Sequence, residues 1–262
     1  MTGTAPAAAP APVVAVLKDE PLTRVEVIAL PGGHAVRKTY RSHPLLRWRT
    51  FATPSRGCRE FLGLSAAFGR GVPCVEPLSW DEVRRLGCAL ASVVVTRYLP
   101  AAPSLKTELA GGAVPAAARG ALATALGDLL RRLHQAGVLS CRRTPRNVLV
   151  RGRAPWDLVL CDLPAAVAFA ASIHGQPVAR IDLYDALFSW SRRLELSRAQ
   201  RWRALCAYHA GDRVAARRSW QRLVRRPRWW NQLRKAALVS WDSYLRQWLL
   251  ALRRGGLPRP VR

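Results

Sequence analysis

The stretch Leu133-His-Gln-Ala-Gly-Val-Leu-Ser-Cys-Arg-Arg-Thr-Pro-Arg-Asn-Val-Leu-Val150, followed by Asp157-Leu-Val-Leu-Cys-Asp-Leu-Pro164, decides the fold. It opens on the end of a helix. Residues 116–135 place Leu122, Leu126, Leu129, Leu130 and Leu133 on one stripe, and Gly137 fits a C-cap. A cationic loop over 140–146 follows, then two short apolar runs, 148–150 and 158–161, that read as strands. A long helix beside two strands around a charged loop is an α+β arrangement. Asp162 follows an apolar strand, the kind of strand end that carries site residues. Asn147 has two readings, a site side chain or a cap of the turn after Pro145. His134 reads as a structural helix-end histidine.

Upstream, residues 24–30 and 34–40 alternate as strands across Pro31-Gly-Gly33, a β-hairpin. Residues 56–68 read as a helix with Phe61, Leu64 and Phe68 on one face, and residues 88–99 as a strand. The sheet-rich portion closes near residue 100. Downstream of Arg180, helices are expected over 182–193, 197–209, 214–224 and 233–252. The last aligns Leu238, Trp241, Leu245, Trp248, Leu249 and Leu252.

The quoted stretch resembles the catalytic and metal loops of protein-kinase-like phosphotransferases. Their pattern is a helix ending in Leu-His-x-x-Gly, then His-x-Asp, four residues, Asn, an apolar strand and Asp-Phe-Gly. In that chemistry Asn and Asp converge on magnesium bridging the ATP phosphates, and a third carboxylate accepts the proton of the attacking hydroxyl. The resemblance implies ATP and Mg²⁺ as cofactors, with Asn147 and Asp162 on the metal side. Lys38 matches the lysine on the α/β-phosphates and Glu60 its ion-pair partner. Asp182 matches the helix carboxylate that braces the catalytic loop, although an ordinary N-cap is an equal reading of that residue. Within this superfamily the chain is most similar to bacterial lipopolysaccharide kinases of the Kdo/WaaP type. The pieces that carry this are Arg37-Lys-Thr-Tyr-Arg41, Arg59-Glu60 with Gly71-Val-Pro73, and Leu187-Phe-Ser-Trp-Ser-Arg-Arg193 leading to Arg203-Ala-Leu-Cys-Ala-Tyr208. The implied fold is bilobal and kinase-like, with a small β-rich N-lobe over 22–100 and a helical C-lobe over 101–230. The implied activity is transfer of the ATP γ-phosphate to a sugar of a lipid core, by a cytoplasmic protein peripheral at the inner membrane face.

The sequence departs from this pattern where proton chemistry is done. His-x-Asp reads Ser140-Cys-Arg142, and no carboxylate lies between Asp128 and Asp157. Arginine accepts no proton at any relevant pH, and losing a general base forfeits ~10²–10⁴ in rate. Asp-Phe-Gly reads Asp162-Leu-Pro164, and the nucleotide-covering loop retains only Gly32 and Gly33. Two function classes follow: a weakened or inactive lipopolysaccharide kinase, and a pseudokinase that binds nucleotide or a partner and regulates envelope-glycolipid synthesis.

Composition sets the outer bounds. The 262 residues carry 42 Lys+Arg against 16 Asp+Glu, a formal charge of +26, and half of them are hydrophobic. That much apolar surface excludes bulk disorder. The charge calls for an anionic partner such as a glycolipid, a membrane surface or nucleic acid. Only Lys18, Lys38, Lys106 and Lys235 are lysines, so each stands out in an arginine-rich chain. Residues 192–262 hold 18 Arg and one Lys against three acids, with six of the ten tryptophans. They read as a basic amphipathic C-terminal helix and tail over 231–262 with three uses: a solvated face, a peripheral membrane surface, or nucleic-acid binding, ranked last because no nucleic-acid-binding motif is present. Six scattered cysteines and five histidines show no zinc spacing. Residues 1–21 begin Ala/Pro-rich without a basic n-region and read as a disordered leader.

Overall fold

The computed structural model describes residues 11–51, 53–110, 114–141, 144–153, 155–189 and 196–225. Its first half is an antiparallel sheet of β1 (Val13–Glu20), β2 (Thr23–Leu30), β3 (Gly33–Arg41), β4 (Pro77–Arg85) and β5 (Cys88–Arg97), in the order β1-β2-β3-β5-β4. Leu30 pairs with Gly33, so the β2–β3 loop is only Pro31-Gly32, and Gly32 takes φ +87° as such a tight turn requires. Between β3 and β4 the chain makes a 3-10 turn, Pro44–Thr50, and the helix α1 (Arg56–Phe68). The Ser55 hydroxyl accepts from the Cys58 N–H and starts α1. Gly57 and Gly63 let α1 lie close to its neighbours. A methyl on Gly57 would sit 3.0 Å from Ser92 Cβ, and one on Gly63 2.5 Å from the Leu163 carbonyl.

The second half is mainly helical: α2 (Leu105–Ala110), α3 (Arg119–Gln135), α4 (Arg180–Tyr184), α5 (Arg198–Tyr208) and α6 (Arg213–Val224). Two small sheets interrupt it, β6 (Val138–Leu139) with β9 (Val167–Ala168), and β7 (Val148–Arg153) with β8 (Trp156–Leu160). The predicted leucine stripe of α3 is buried throughout and forms the centre of the core with Leu183, Leu187, Leu205 and Tyr208. Gly137 turns the chain out of α3 at φ +70°, close under the Phe169 and Ala171 carbonyls. Segment 73–75 bonds to β8 through the Leu160 N–H to the Pro73 carbonyl (3.0 Å) and the Val75 N–H to the Leu160 carbonyl (2.8 Å). The end of α1 is thereby attached to the strand that leads to Asp162.

Three sequence expectations change. Val13–Glu20 is a strand rather than part of a disordered leader; all eight of its side chains are exposed, and it is held by its backbone ladder with β2. β4 was not expected, because its inner face carries Glu82 and Arg84, which neutralise one another at 2.5 Å and break the apolar alternation. The helix expected from Asp182 begins instead at Arg180 and passes into a π-helical turn over Asp185–Ser189. The expected helix over 233–252 and the tail over 231–262 lie outside the described residues.

Tight packing of α3 on α5 yields a prediction. A methyl on Gly127 would collide with the Ala204 carbonyl and lie 3.0 Å from Ala207 Cβ. Alanine gains about 1 kcal/mol of helix propensity, but a backbone carbonyl cannot rotate away, and overpacking of this kind costs about 1–3 kcal/mol. Gly127→Ala is expected to lower the urea midpoint; an unchanged or raised midpoint would refute the close approach.

Candidate functional site

Lys38 lies on β3 opposite Val25 and Val94, in the middle of the sheet. Its ammonium reaches off the sheet to Glu60 Oε1 on α1 at 2.6 Å and to the Cys161 carbonyl at 2.8 Å. Glu60 is fully buried. Its other oxygen accepts the Tyr40 hydroxyl at 2.5 Å. Burial works against the ammonium, yet Glu60 and then Asp162 outweigh it and hold Lys38 charged, well above the ordinary lysine range. Burial, and then Glu60, push the Tyr40 hydroxyl well above the usual tyrosine range, so it remains a donor.

Asp162 follows Cys161 and so sits beside this pair. Its Oδ1 is buried with no hydrogen-bond partner. Burial pushes Asp162 up to about 6; Lys38 pulls it down and Glu60 pushes it back up. Asn147 ends the 3-10 turn Pro145–Asn147, its Oδ1 accepts from Thr144 Oγ1 at 2.9 Å, and its backbone carbonyl accepts the Cys161 N–H at 3.0 Å. Lys38, Glu60 and Asp162 therefore meet, and Asn147 joins them through Cys161. Arg142 lies outside the described residues.

Asp182 is not a cap. α4 is preceded by Ala179, and Asp182 points inward, buried. Its carboxylate accepts the backbone N–H groups of Ser140 (2.8 Å) and Cys141 (3.1 Å) and the Ser140 hydroxyl (3.1 Å). His134 Nε2 lies 3.2 Å from the same carboxylate, and His134 Nδ1 lies 2.9 Å from the Tyr208 hydroxyl. This network holds Cys141 at φ +57°, a left-handed conformation rare for a residue with a side chain. The backbone at Ser140 and Cys141 is thus held by the Asp182 carboxylate, which His134 and, through it, Tyr208 adjoin.

Sequence reading missed two members. Tyr40 shares a β3 face with Lys38 at i+2, and Arg56 shares an α1 face with Glu60 at i+4; those spacings were the available signals. The Arg56 guanidinium lies 4.3 Å from the Tyr40 ring centroid and acts electrostatically on Asp162. No glycine-rich loop covers the site among the described residues: β1 turns into β2 through Pro21-Leu22, and β2 into β3 through Pro31-Gly32. No described helix is long and apolar enough to cross a membrane.

Comparison with known proteins supplies a family and a fold. The model of the lipopolysaccharide kinase (Kdo/WaaP) family matches residues 32–208. A solved structure of WaaP in complex with acyl carrier protein superposes with a TM-score of 0.54 at 17% identity, covering 85% of this chain and 88% of that one. The kinase domain of PknI from Mycobacterium tuberculosis gives 0.48 at 17% identity, over 82% of this chain and 93% of that one. No curated protein sequence matches. The likeness to WaaP establishes the bilobal kinase-like fold, with the sheet and α1 as one lobe and the mainly helical part as the other.

The Asp162 environment predicts a pH dependence. Its folded value is raised from 3.8 to about 6, so the folded chain retains a proton that the unfolded chain releases, and stability falls as pH rises through that window. In EDTA, Asp162→Asn is expected to match the parent in urea at about pH 4 and to exceed it at about pH 7.5. Equal midpoints at both values would show an ordinary carboxylate.

Proposed function

This chain belongs to the lipopolysaccharide kinase (Kdo/WaaP) family, and from that premise we propose that it binds Mg-ATP and transfers the γ-phosphate, slowly, to a sugar hydroxyl of a lipid-linked glycolipid at the inner membrane face. The observation that carries this reading is the Lys38–Glu60 pair seated on the Cys161 carbonyl, next to an Asp162 oxygen that nothing else satisfies.

Lys38 would neutralise the α/β-phosphates, with Glu60 and Tyr40 fixing its direction. Asp162 and Asn147 would hold magnesium, which neutralises charge on the phosphate oxygens when bound. An orphaned carboxylate oxygen and a nearby amide are hard oxygen donors suited to that ion. With only these two side chains as donors, phosphate oxygens and water would complete the octahedral set that magnesium takes. Arg56 adds a second cation toward the same anion. Asp182 would position the loop.

The slow step is proton removal. Arg142 stands at the base position and cannot accept the hydroxyl proton. Phosphoryl transfer rests largely on positioning and electrostatics, so transfer with proton loss to solvent remains available. The same arginine favours a second reading, a nucleotide-binding regulator of envelope-glycolipid synthesis that does not turn over.

One experiment separates the two readings. Mg-ATP is expected to raise the melting temperature, and Lys38→Ala and Asp162→Ala to abolish that shift. With γ-labelled ATP and lipopolysaccharide core, Arg142→Asp is expected to raise label transfer about 10²-fold or more. A nucleotide shift with no transfer in either protein selects the regulator; no shift at all rejects both.

A further inference from the structure

We infer that the 3-10 turn Pro44–Thr50 and the β4–β5 turn together form a membrane-docking surface, whose apolar side chains enter the bilayer interface while its arginines meet anionic phospholipid headgroups. This deepens the proposed function, and it rests on that reading for a membrane-borne acceptor.

Single exposed apolar residues need no explanation, but a contiguous group does. Five large ones lie along the two turns and the end of β4 that leads into the second: Leu45 (78% exposed), Trp48 (64%), Phe51 (58%), Val83 (59%) and Leu86 (88%). The two turns touch, since a methyl on Gly87 would lie 2.8 Å from the Phe51 ring. They are also bolted together. The Arg84 guanidinium donates to the carbonyls of Thr50 (3.1 Å), Thr53 (2.5 Å) and Gly87 (2.7 Å), and the Ala89 N–H donates to Thr50 Oγ1 at 2.9 Å. Leu86 is held at φ +49° at the tip of its turn. The exposure is therefore imposed by a hydrogen-bonded frame.

Charge identifies the occupant. Arg41, Arg47 and Arg85 are exposed around the group, and among the described residues none pairs with a carboxylate. Glu82 is engaged by Arg84, and the exposed Asp81 lies further along β4 from the turn. Leucine and phenylalanine projecting from two turns, a tryptophan beside them and free arginines at the rim suit an anionic lipid interface. Side chains that project, rather than line a groove, favour a bilayer over a protein partner. The location fits as well: the turn runs through Ser55 into α1, whose first residue, Arg56, acts on Asp162. Docking here would bring the lipid surface to the end of α1 beside the site.

The test is co-sedimentation of the full-length chain with phosphatidylglycerol/phosphatidylcholine vesicles and with phosphatidylcholine alone. Binding to the anionic vesicles is expected, and the triple variant Leu45→Ser, Trp48→Ser, Leu86→Ser should weaken it about tenfold or more. Arg47→Glu with Arg85→Glu should weaken it too, and both variants should keep the Mg-ATP thermal shift. The surface is overturned by a parent that ignores anionic vesicles, by a triple variant that binds as the parent does, or by loss confined to the charge reversal, which would mean a purely electrostatic film. Binding of an acidic carrier protein, but not of vesicles, at these residues overturns it in favour of a protein partner. Vesicle binding through the patch by a parent with no nucleotide shift would sink the proposed function and leave the surface standing.

Discussion

A carboxylate sealed from water must find its counter-charge inside the protein, and Glu60 is sealed completely. Lys38 and Tyr40 answer that demand from β3, and their reach is short, so α1 must lie directly on the sheet. Glycine at 57 and 63 makes the approach possible on both sides of the helix, against Ser92 and against Leu163. Lys38 also spans to the Cys161 carbonyl and so ties the first half of the chain to the strand end that carries Asp162. A buried ion pair contributes little net stability against an apolar replacement, while loss of one partner costs about 3–5 kcal/mol. Its value here is placement. One pair fixes helix to sheet and sheet to the loop that carries Asp162.

Asp182 solves a similar problem differently. Its carboxylate accepts from two backbone N–H groups and a hydroxyl and lies against an imidazole. Those contacts grip the backbone at Ser140 and Cys141. The same chain carries this brace, the Lys38 cluster and, at the position where the kinase-like pattern has its base, Arg142.

The longer helices were legible because their apolar residues recur at helical spacing, as with Leu122 to Leu133 in α3, which Gly137 then ends, while the short α2 was not expected. β1 was not, since a strand held only through its backbone leaves no burial pattern in its side chains. β4 was obscured by a charge pair on its inner face. Lys38, Glu60 and Asp162 were legible through ordered resemblance, because no single lysine or acid announces a partner 22 or 123 residues away. Tyr40 and Arg56 escaped for a related reason: a tyrosine on a strand and an arginine on a helix are ordinary until the fold stacks them beside a buried carboxylate.

The charge balance around the loop says what this site is best suited to do. Between Asp128 and Asp157 the chain carries Arg131, Arg132, Arg142, Arg143, Arg146, Arg151 and Arg153 and no acid. Arg131 and Arg151 are engaged by the bounding aspartates at 3.0 and 2.6 Å, and Arg153 by Glu108 at 2.7 Å. A kinase loop with a carboxylate at its centre must tolerate that acid near the phosphates, because deprotonating the hydroxyl requires it. Arginine at that position would, on the proposed reading, favour a polyphosphate and would accept no proton. On the proposed reading, binding and turnover are thus pulled in opposite directions by one residue. On that reading the site would hold its nucleotide well and spend it slowly, and it would need its acceptor concentrated at a surface for transfer to occur.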